Sequence, residues 1–280
     1  MNKHFVTRRH FLGTAAAVAA TTFVPAPIFG RDKMRRVMPA PDTLRKVDAF
    51  WSAYFGCSPQ HLNEARTLVV SHRALAGYDG VLVFRHAHSC IVSVPDSVPE
   101  IERSKLRTAQ PTEASDPRLL GKAFAVSTDR VQGPAWLGIA DRSVFTPVRS
   151  KARILGDADA PAIERLALGC DELAWTQSRL LRVQKPLFGL FEGGDLVAVS
   201  GHVVLGDVLA YIGVITHHAH RGRGYAKSVV SAAMNGALEK GFIPMWRTPV
   251  SNEAAITVAR SLGFQPYATT IDVQITEDEF

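Results

Sequence analysis

The sequence has 280 residues, 46% hydrophobic and 21% charged, with a formal net charge of +6. That length holds one large domain or two modest ones, with apolar residues enough for a core. The charge does not mark a nucleic-acid binder. Residues 1–36 hold seven basic side chains and one acid, leaving 25 basic and 25 acidic ones in the rest, and a neutral body has no general attraction for a polyanion.

The first residues read as a targeting peptide. TRRHFLG, Thr7 to Gly13, precedes the small-residue apolar run TAAAVAATTFV and a Pro-Ala exit. The run is too short to span a membrane. The Arg8-Arg9 pair followed by Phe11 and Leu12 resembles a twin-arginine export signal, which would take residues 1–30 and send the protein to the periplasm. MPAPDTLRKVDAFW offers a competing start at Met38, which would keep the chain in the cytoplasm. Residues 31–43 form a basic, Pro-containing linker.

Residues 44–150 read as an N-terminal α/β region. DTLRKVDAFWSAYFG is a predicted helix, with Leu44, Val47, Phe50, Trp51 and Tyr54 at helical spacing. SPQHLNEARTLVVSHRAL is a second, with Ser58 as N-cap and Pro59 at the first position. GVLVFRHAHSCIVSVP is a strand pair. VPEIERSKLRTA is a helix, QPTEASDPRLLG a turn with another short helix, and FAVSTDRVQGPAWLGIADRSVF has strand and turn character. His72, His86 and His88 are scattered without ligand spacing. Cys57, Cys90 and Cys170 are odd in number and far apart, which points to free thiols rather than a disulfide or metal framework.

From residue 151 to 276 the pattern is denser. ARILGDADAPAIERLALGCDE is strand, turn and helix. LFGLFEGGDLVAVSGHVVLGDVLAYIGVIT is a series of strands, with Gly193-Gly194 and Gly206-Asp207 as hairpin turns. After HRGRG comes an amphipathic helix from Ala226 to Leu238, stopped by Gly241. IPMWRTPV is a strand, Ser251 or Asn252 caps the helix NEAAITVARSLG, and TTIDVQI is the last strand.

Strand, glycine loop, helix is an anion-binding arrangement. The first N–H groups of a helix lack internal partners, and glycines let a ligand approach the backbone. The loop is not a Walker loop, because no Gly-Lys-Ser/Thr follows, and it lacks dinucleotide GxGxxG spacing.

Arg221-Gly222-Arg223-Gly224-Tyr225-Ala226 resembles the Gln/Arg-x-x-Gly-x-Gly/Ala pyrophosphate loop of the GCN5-related N-acetyltransferases (GNAT). GVITHHAH resembles the strand before that loop, with His218 where the family has Pro. SNEAAITVARSLGF is similar to the family's second motif, an Asn opening a helix that ends Leu-Gly-Phe. The resemblance covers about residues 152–276. GPAWLGIAD and RTPVSN extend it to a bacterial branch with an added N-terminal region.

The resemblance implies an α/β (α+β) fold with a mixed, splayed sheet and helices on both sides. It implies acetyl-CoA as co-substrate and a small-molecule or peptide amine as acceptor, hence an acyltransferase, with no metal, nucleic acid or membrane partner. The pyrophosphate would take the N–H groups of Gly222 to Lys227, that is Gly222, Arg223, Gly224, Tyr225, Ala226 and Lys227. The pantetheine arm would pair with Val214, Ile215 and Thr216 like an added strand, one N–H also polarising the thioester carbonyl. Asn252 would contact the cofactor arm, and Arg221 would add charge beside Arg223.

The proton carriers depart from the family. VLAYIGVITHHAH has no acid, Arg247 stands where some relatives have glutamate, and Ala259 where others have tyrosine. His217 is the best local substitute for the catalytic base, with Glu192, Tyr211 and Tyr225 as further candidates. His217, His218 and His220 have no carboxylate or cysteine nearby to complete a metal site. Asp171, Glu172 and Trp175 would line the acceptor side. The missing carriers leave a second reading, an acyl-CoA-binding sensor or scaffold without catalysis.

Overall fold

The computed structural model of the chain describes residues 38–275 apart from 179 and 181–183. The expected targeting peptide and most of the linker, residues 1–37, lie outside the described residues.

The first helix forms as its spacing predicts. α1 (Pro41–Phe55) has Pro41 at its start and ends at Gly56, whose φ of +71° closes the last turn. Val47, Trp51, Tyr54 and Phe55 share its buried face. The second expected helix is a correction. Ser58 does accept the Gln60 N–H, at 3.4 Å, but only one 3₁₀ turn follows, Pro59–Leu62. The chain then extends as β1 (Thr67–Ser71). Thr67, Val69 and Val70 are β-branched, and β1 pairs in parallel with β3 (Ser89–Val94). Strand pairing with a distant segment outweighs a good local helix start.

β2 (Val81–His86) and β3 form the expected hairpin. α2 (Glu100–Thr108), α3 (Pro117–Ala123) and β4 (Val131–Ile139) complete the N-terminal region. Next come β5 (Arg153–Ile154), α4 (Ala160–Leu168), α5 (Glu172–Ser178), β6 (Gln184–Glu192), β7 (Asp195–Leu205) and β8 (Leu209–Thr216). The turns at Gly193-Gly194 and Gly206-Asp207 all have positive φ, as tight hairpin turns require. α6 (Tyr225–Glu239), β9 (Ile243–Pro249), α7 (Glu253–Ser261) and β10 (Gln265–Val273) finish the fold.

All ten strands join one mixed sheet, in the order β1-β3-β2-β10-β4-β9-β8-β7-β6-β5. The sheet crosses the expected boundary at residue 150 without a gap. β4, from the N-terminal region, lies between β9 and β10, and β10 lies between β4 and β2. One face packs against α1 through Trp51, Tyr54, Leu137, Tyr211 and Met245, and against α4 through Leu166, Val199 and Ile215. The other face packs against α6 and α7 through Ile212, Val230, Trp246 and Ala259. Helices on both faces of a mixed sheet are the fold expected from the sequence.

Asp141, just past β4, fastens α1 to this sheet. Its carboxylate accepts hydrogen bonds from the Ala40 N–H and the Thr43 Oγ1 hydroxyl, each at 2.7 Å, and from the Ser143 N–H and Oγ hydroxyl at 2.9 and 2.5 Å. Burial pushes its pKa up, but the hydrogen bonds from Ser143, Thr43 and Ala40 outweigh that and hold it below the usual value. A depressed folded pKa adds stability that is present above the unfolded carboxylate pKa of about 4 and lost as pH falls through the folded one. Asp141→Asn should therefore cost about 2 kcal/mol near neutral pH. In thermal unfolding, the gap from wild type should close below about pH 4; a gap constant down to pH 3 would refute this role.

Among the described residues, no helix is long and apolar enough to cross a membrane. Cys57, Cys90 and Cys170 are free thiols, and burial pushes that of Cys90 up to about 12.

Candidate functional site

β8 and β9 run parallel but pair over only three positions, Leu209↔Ile243, Ala210↔Pro244 and Tyr211↔Met245. Both strands continue, β8 to Thr216 and β9 to Pro249. β8 stays paired with β7 up to Thr216, and β9 with β4 up to Pro249. The sheet therefore splits between β8 and β9, with its apex at Tyr211 and Met245 and its mouth at the C-terminal ends of the two strands.

Alternation along β8 decides which groups face the split. The His217 N–H donates to Val197 C=O on β7 at 2.9 Å, and the Ile243 N–H donates to Val208 C=O at 2.9 Å. With a period of two, odd-numbered residues from Tyr211 to His217 turn their backbone to β7. Even-numbered ones turn it to the split. Val214 and Thr216 thus offer backbone N–H and C=O groups there and Ile212 its C=O, the Ile212 N–H closing the last β8–β9 pair, while those of Ile215 are engaged by Val199. Val214, Ile215 and Thr216 are expected together as the cofactor strand, but alternation turns the backbone of Ile215 to β7 and leaves Val214 and Thr216 facing the split.

The loop stands at the mouth. Gly222 and Gly224 have φ of +78° and +80°, and a Cβ built on either would meet nothing within 4 Å. Gly224 caps α6 with its backbone and no side chain bonds there. The first bond of this 15-residue helix runs from the Ser228 N–H to Gly224 C=O. The N–H groups of Tyr225, Ala226 and Lys227 therefore have no partner within the helix, and the helix dipole adds positive potential where they point. Arg221 and Arg223 are exposed beside them, and Arg221 Nε approaches Thr216 C=O at 3.4 Å. Thr216 Oγ1 is buried with no hydrogen-bond partner, a polar atom that a ligand in the split would satisfy.

The second motif reaches the same mouth because β9 runs parallel to β8. Asn252 caps α7, its Oδ1 accepting the Ala255 N–H at 3.1 Å. Ala259 is fully buried against the sheet.

His217 also stands at the mouth. Its ring stacks on His218 at 4.4 Å and lies 5.6 Å from His220. Desolvation, then the neighbouring positive groups His218, His220 and Arg221, push its pKa down. His218 Nδ1 lies 3.1 Å from Gly169 C=O. Glu192 ends β6 opposite Asp195, and Tyr225 begins α6, so both are at the mouth end too. Only Tyr211 among the four proton-carrier candidates is at the apex. On the acceptor side, Asp171 Oδ1 accepts the Ala174 N–H at 3.0 Å, and Asp171 and Glu172 are exposed while Trp175 is half-buried against the α4 cluster. Among the described residues, no group of three His, Cys, Asp or Glu is placed to hold a metal ion.

Arg247 is buried on the α1 face. It donates to Thr270 Oγ1 at 2.7 Å and to Asp272 Oδ2 at 2.5 Å, and it hydrogen-bonds Tyr211. Burial works against its charge, but Asp272 and Tyr211 outweigh it and hold its pKa above the usual arginine value. These partners on β10 were invisible in the sequence, because they come together only through the insertion of β4.

Comparison with known proteins bears on this segment. The family model described as acetyltransferase (GNAT) family matches residues 159–264. The uncharacterized N-acetyltransferase YdfB of Bacillus subtilis strain 168 is 28% identical over 78 residues, 28% of this chain and 30% of that one. The chain thus matches less than a third of that relative's length. A GNAT-family protein of known structure from Novosphingobium aromaticivorans is 28% identical, over 51% of this chain and 63% of that one, with a TM-score of 0.41. The structure of yncA from Salmonella typhimurium with its cofactor acetyl-CoA is 19% identical, over 48% of this chain and 98% of that one, with a TM-score of 0.33. The matched segment holds both sequence motifs, the split strand β8 and the start of α6, and it is this segment, residues 159–264, that matches the GNAT acetyltransferase family.

Proposed function

We propose that the protein is an N-acetyltransferase that moves an acetyl group from acetyl-CoA to a primary amine. The observation that carries this reading is the split: β8 and β9 stop pairing after Tyr211 and Met245 while both strands continue. An extended chain laid in it would find the N–H and C=O groups of Val214 and Thr216 and the C=O of Ile212, and a pyrophosphate at the mouth would find the start of α6. The open space at Gly222 and Gly224 and the unsatisfied Thr216 Oγ1 fit such a ligand. When bound, acetyl-CoA supplies an activated acyl group, and the chain's own contribution is to orient it and hold its carbonyl by an N–H facing the split.

A second reading, an acyl-CoA-binding protein without catalysis, is favoured by Arg247 and Ala259. The first is committed to an ion pair and the second carries no proton. Incubating the full chain with acetyl-CoA and a panel of primary amines, and following free thiol, separates them. Amine-dependent thiol release is the expected result. Tight acetyl-CoA binding with no release for any amine would favour the second reading, and no binding at all would refute both.

A further inference from the structure

The split leaves open which group gives the departing sulfur its proton. Tyr211 and Met245 are the last backbone pair before β8 and β9 diverge. Arg247 lies two residues further along β9, on the same face as Met245. The Tyr211–Arg247 hydrogen bond therefore bridges the two strands just beyond their last backbone contact and floors the apex on the α1 side.

The rest of the cluster fixes that bridge. Arg247 stands opposite Leu137 of β4, and its side chain reaches past that strand to β10. There it binds Thr270 and Asp272. Tyr54 of α1 packs against the same cluster and feels the charges of both Asp272 and Arg247. A buried ion pair with two phenols in an otherwise apolar core is costly to desolvate. Apolar side chains would hold these strands together as well. A polar cluster at the blind end of the split is where chemistry is to be sought.

We propose that Tyr211 is the catalytic acid of the transfer, donating its hydroxyl proton to the thiolate of coenzyme A; this rests on the split being the acetyl-CoA site. The amine nitrogen forms the C–N bond with the thioester carbon, and the C–S bond breaks with its electron pair going to sulfur. Sulfur takes the Tyr211 proton, the Arg247 guanidinium stabilises the phenolate, and the surplus proton of the new amide returns to the phenolate through water. The alternatives are badly placed. Strands advance about 3.3 Å per residue, so His217 lies about 20 Å along β8 from Tyr211, and Glu192 and Tyr225 share its end of the split.

The test needs no knowledge of the acceptor. The full-length protein is titrated with coenzyme A and with desulfo-coenzyme A, which lacks the sulfur. Wild type should bind coenzyme A about fivefold more tightly, the size of one ordinary hydrogen bond. Tyr211→Phe keeps the ring and should bind both alike, with a melting temperature near wild type. For any amine that wild type acetylates, the same variant should lower kcat about 100-fold or more, leaving the KM for acetyl-CoA unchanged. A wild type that does not distinguish the two ligands, or a Tyr211→Phe protein with the wild-type ratio, overturns Tyr211 while leaving the acetyl-CoA site standing. Failure of wild type to bind either ligand overturns the site and this role together.

Discussion

Replacing Gly224 by valine is expected to abolish acetyl-CoA binding while costing only modest stability. At φ +80°, a β-branched residue is strained by about 1–3 kcal/mol. The structure leaves open space around the new side chain, so strain is the whole cost to the free protein. In the complex, that space is where the proposed pyrophosphate meets the backbone, and the valine would fill it. The fold supplies a matched control at the other end of the same helix. Gly241 has φ +81° and, like Gly224, nothing within 4 Å of a built Cβ. Gly224→Val and Gly241→Val should therefore lower the melting temperature by similar amounts, and only the first should lose the stabilisation that acetyl-CoA confers by mass action. Equal ligand response in the two variants would remove the loop from the site.

The second large effect concerns the unit of folding. A chain of residues 151–275 holds the whole family match but should not fold alone. It lacks β4 and β2, the two strands that flank β10, and β4 also covers the outer edge of β9. Its β10 would have no partner and β9 a bare edge, leaving backbone groups unpaired and inviting aggregation. It would also lose α1, with Trp51, Tyr54 and Phe55 from the core around Tyr211 and Met245. Residues 38–275 should unfold cooperatively, whereas 151–275 should be insoluble or show no cooperative transition. A soluble, cooperatively unfolding 151–275 fragment would show that the N-terminal region is an accessory.

What the sequence made legible follows from the range of the forces involved. The turns at Gly193-Gly194 and Gly206-Asp207 and the glycine stop at Gly241 are local and appear as read; of the two caps offered for α7 it is Asn252 that forms, and α1 begins at Pro41, inside the expected linker. The conformation of the glycine loop was equally plain, because Gly222 and Gly224 lie within six consecutive residues. The strand Thr67–Ser71 was misread because its cap is local but its partner, β3, lies beyond β2 in the chain. The same limit hid the apex. Arg247 looked like an odd substitution, since the groups that give it meaning, Thr270 and Asp272 on β10 and Tyr211 on β8, are gathered by a strand order that no local pattern encodes. His217 drew attention by lying beside the loop, and that position puts it at the mouth rather than the apex.

The central claim is that acetyl-CoA lies in the split as an added strand, and residue-resolved amide hydrogen exchange of the full-length protein with and without acetyl-CoA tests it most directly. The alternation along β8 makes the prediction specific. Acetyl-CoA should slow exchange at the N–H groups of Val214 and Thr216, and at Tyr225, Ala226 and Lys227 in the first turn of α6. It should leave Gly213 and Ile215, whose backbone faces β7, nearly unchanged relative to them. Uniform protection along β8 without this alternation, or protection confined to sites away from β8 and α6, would contradict the account.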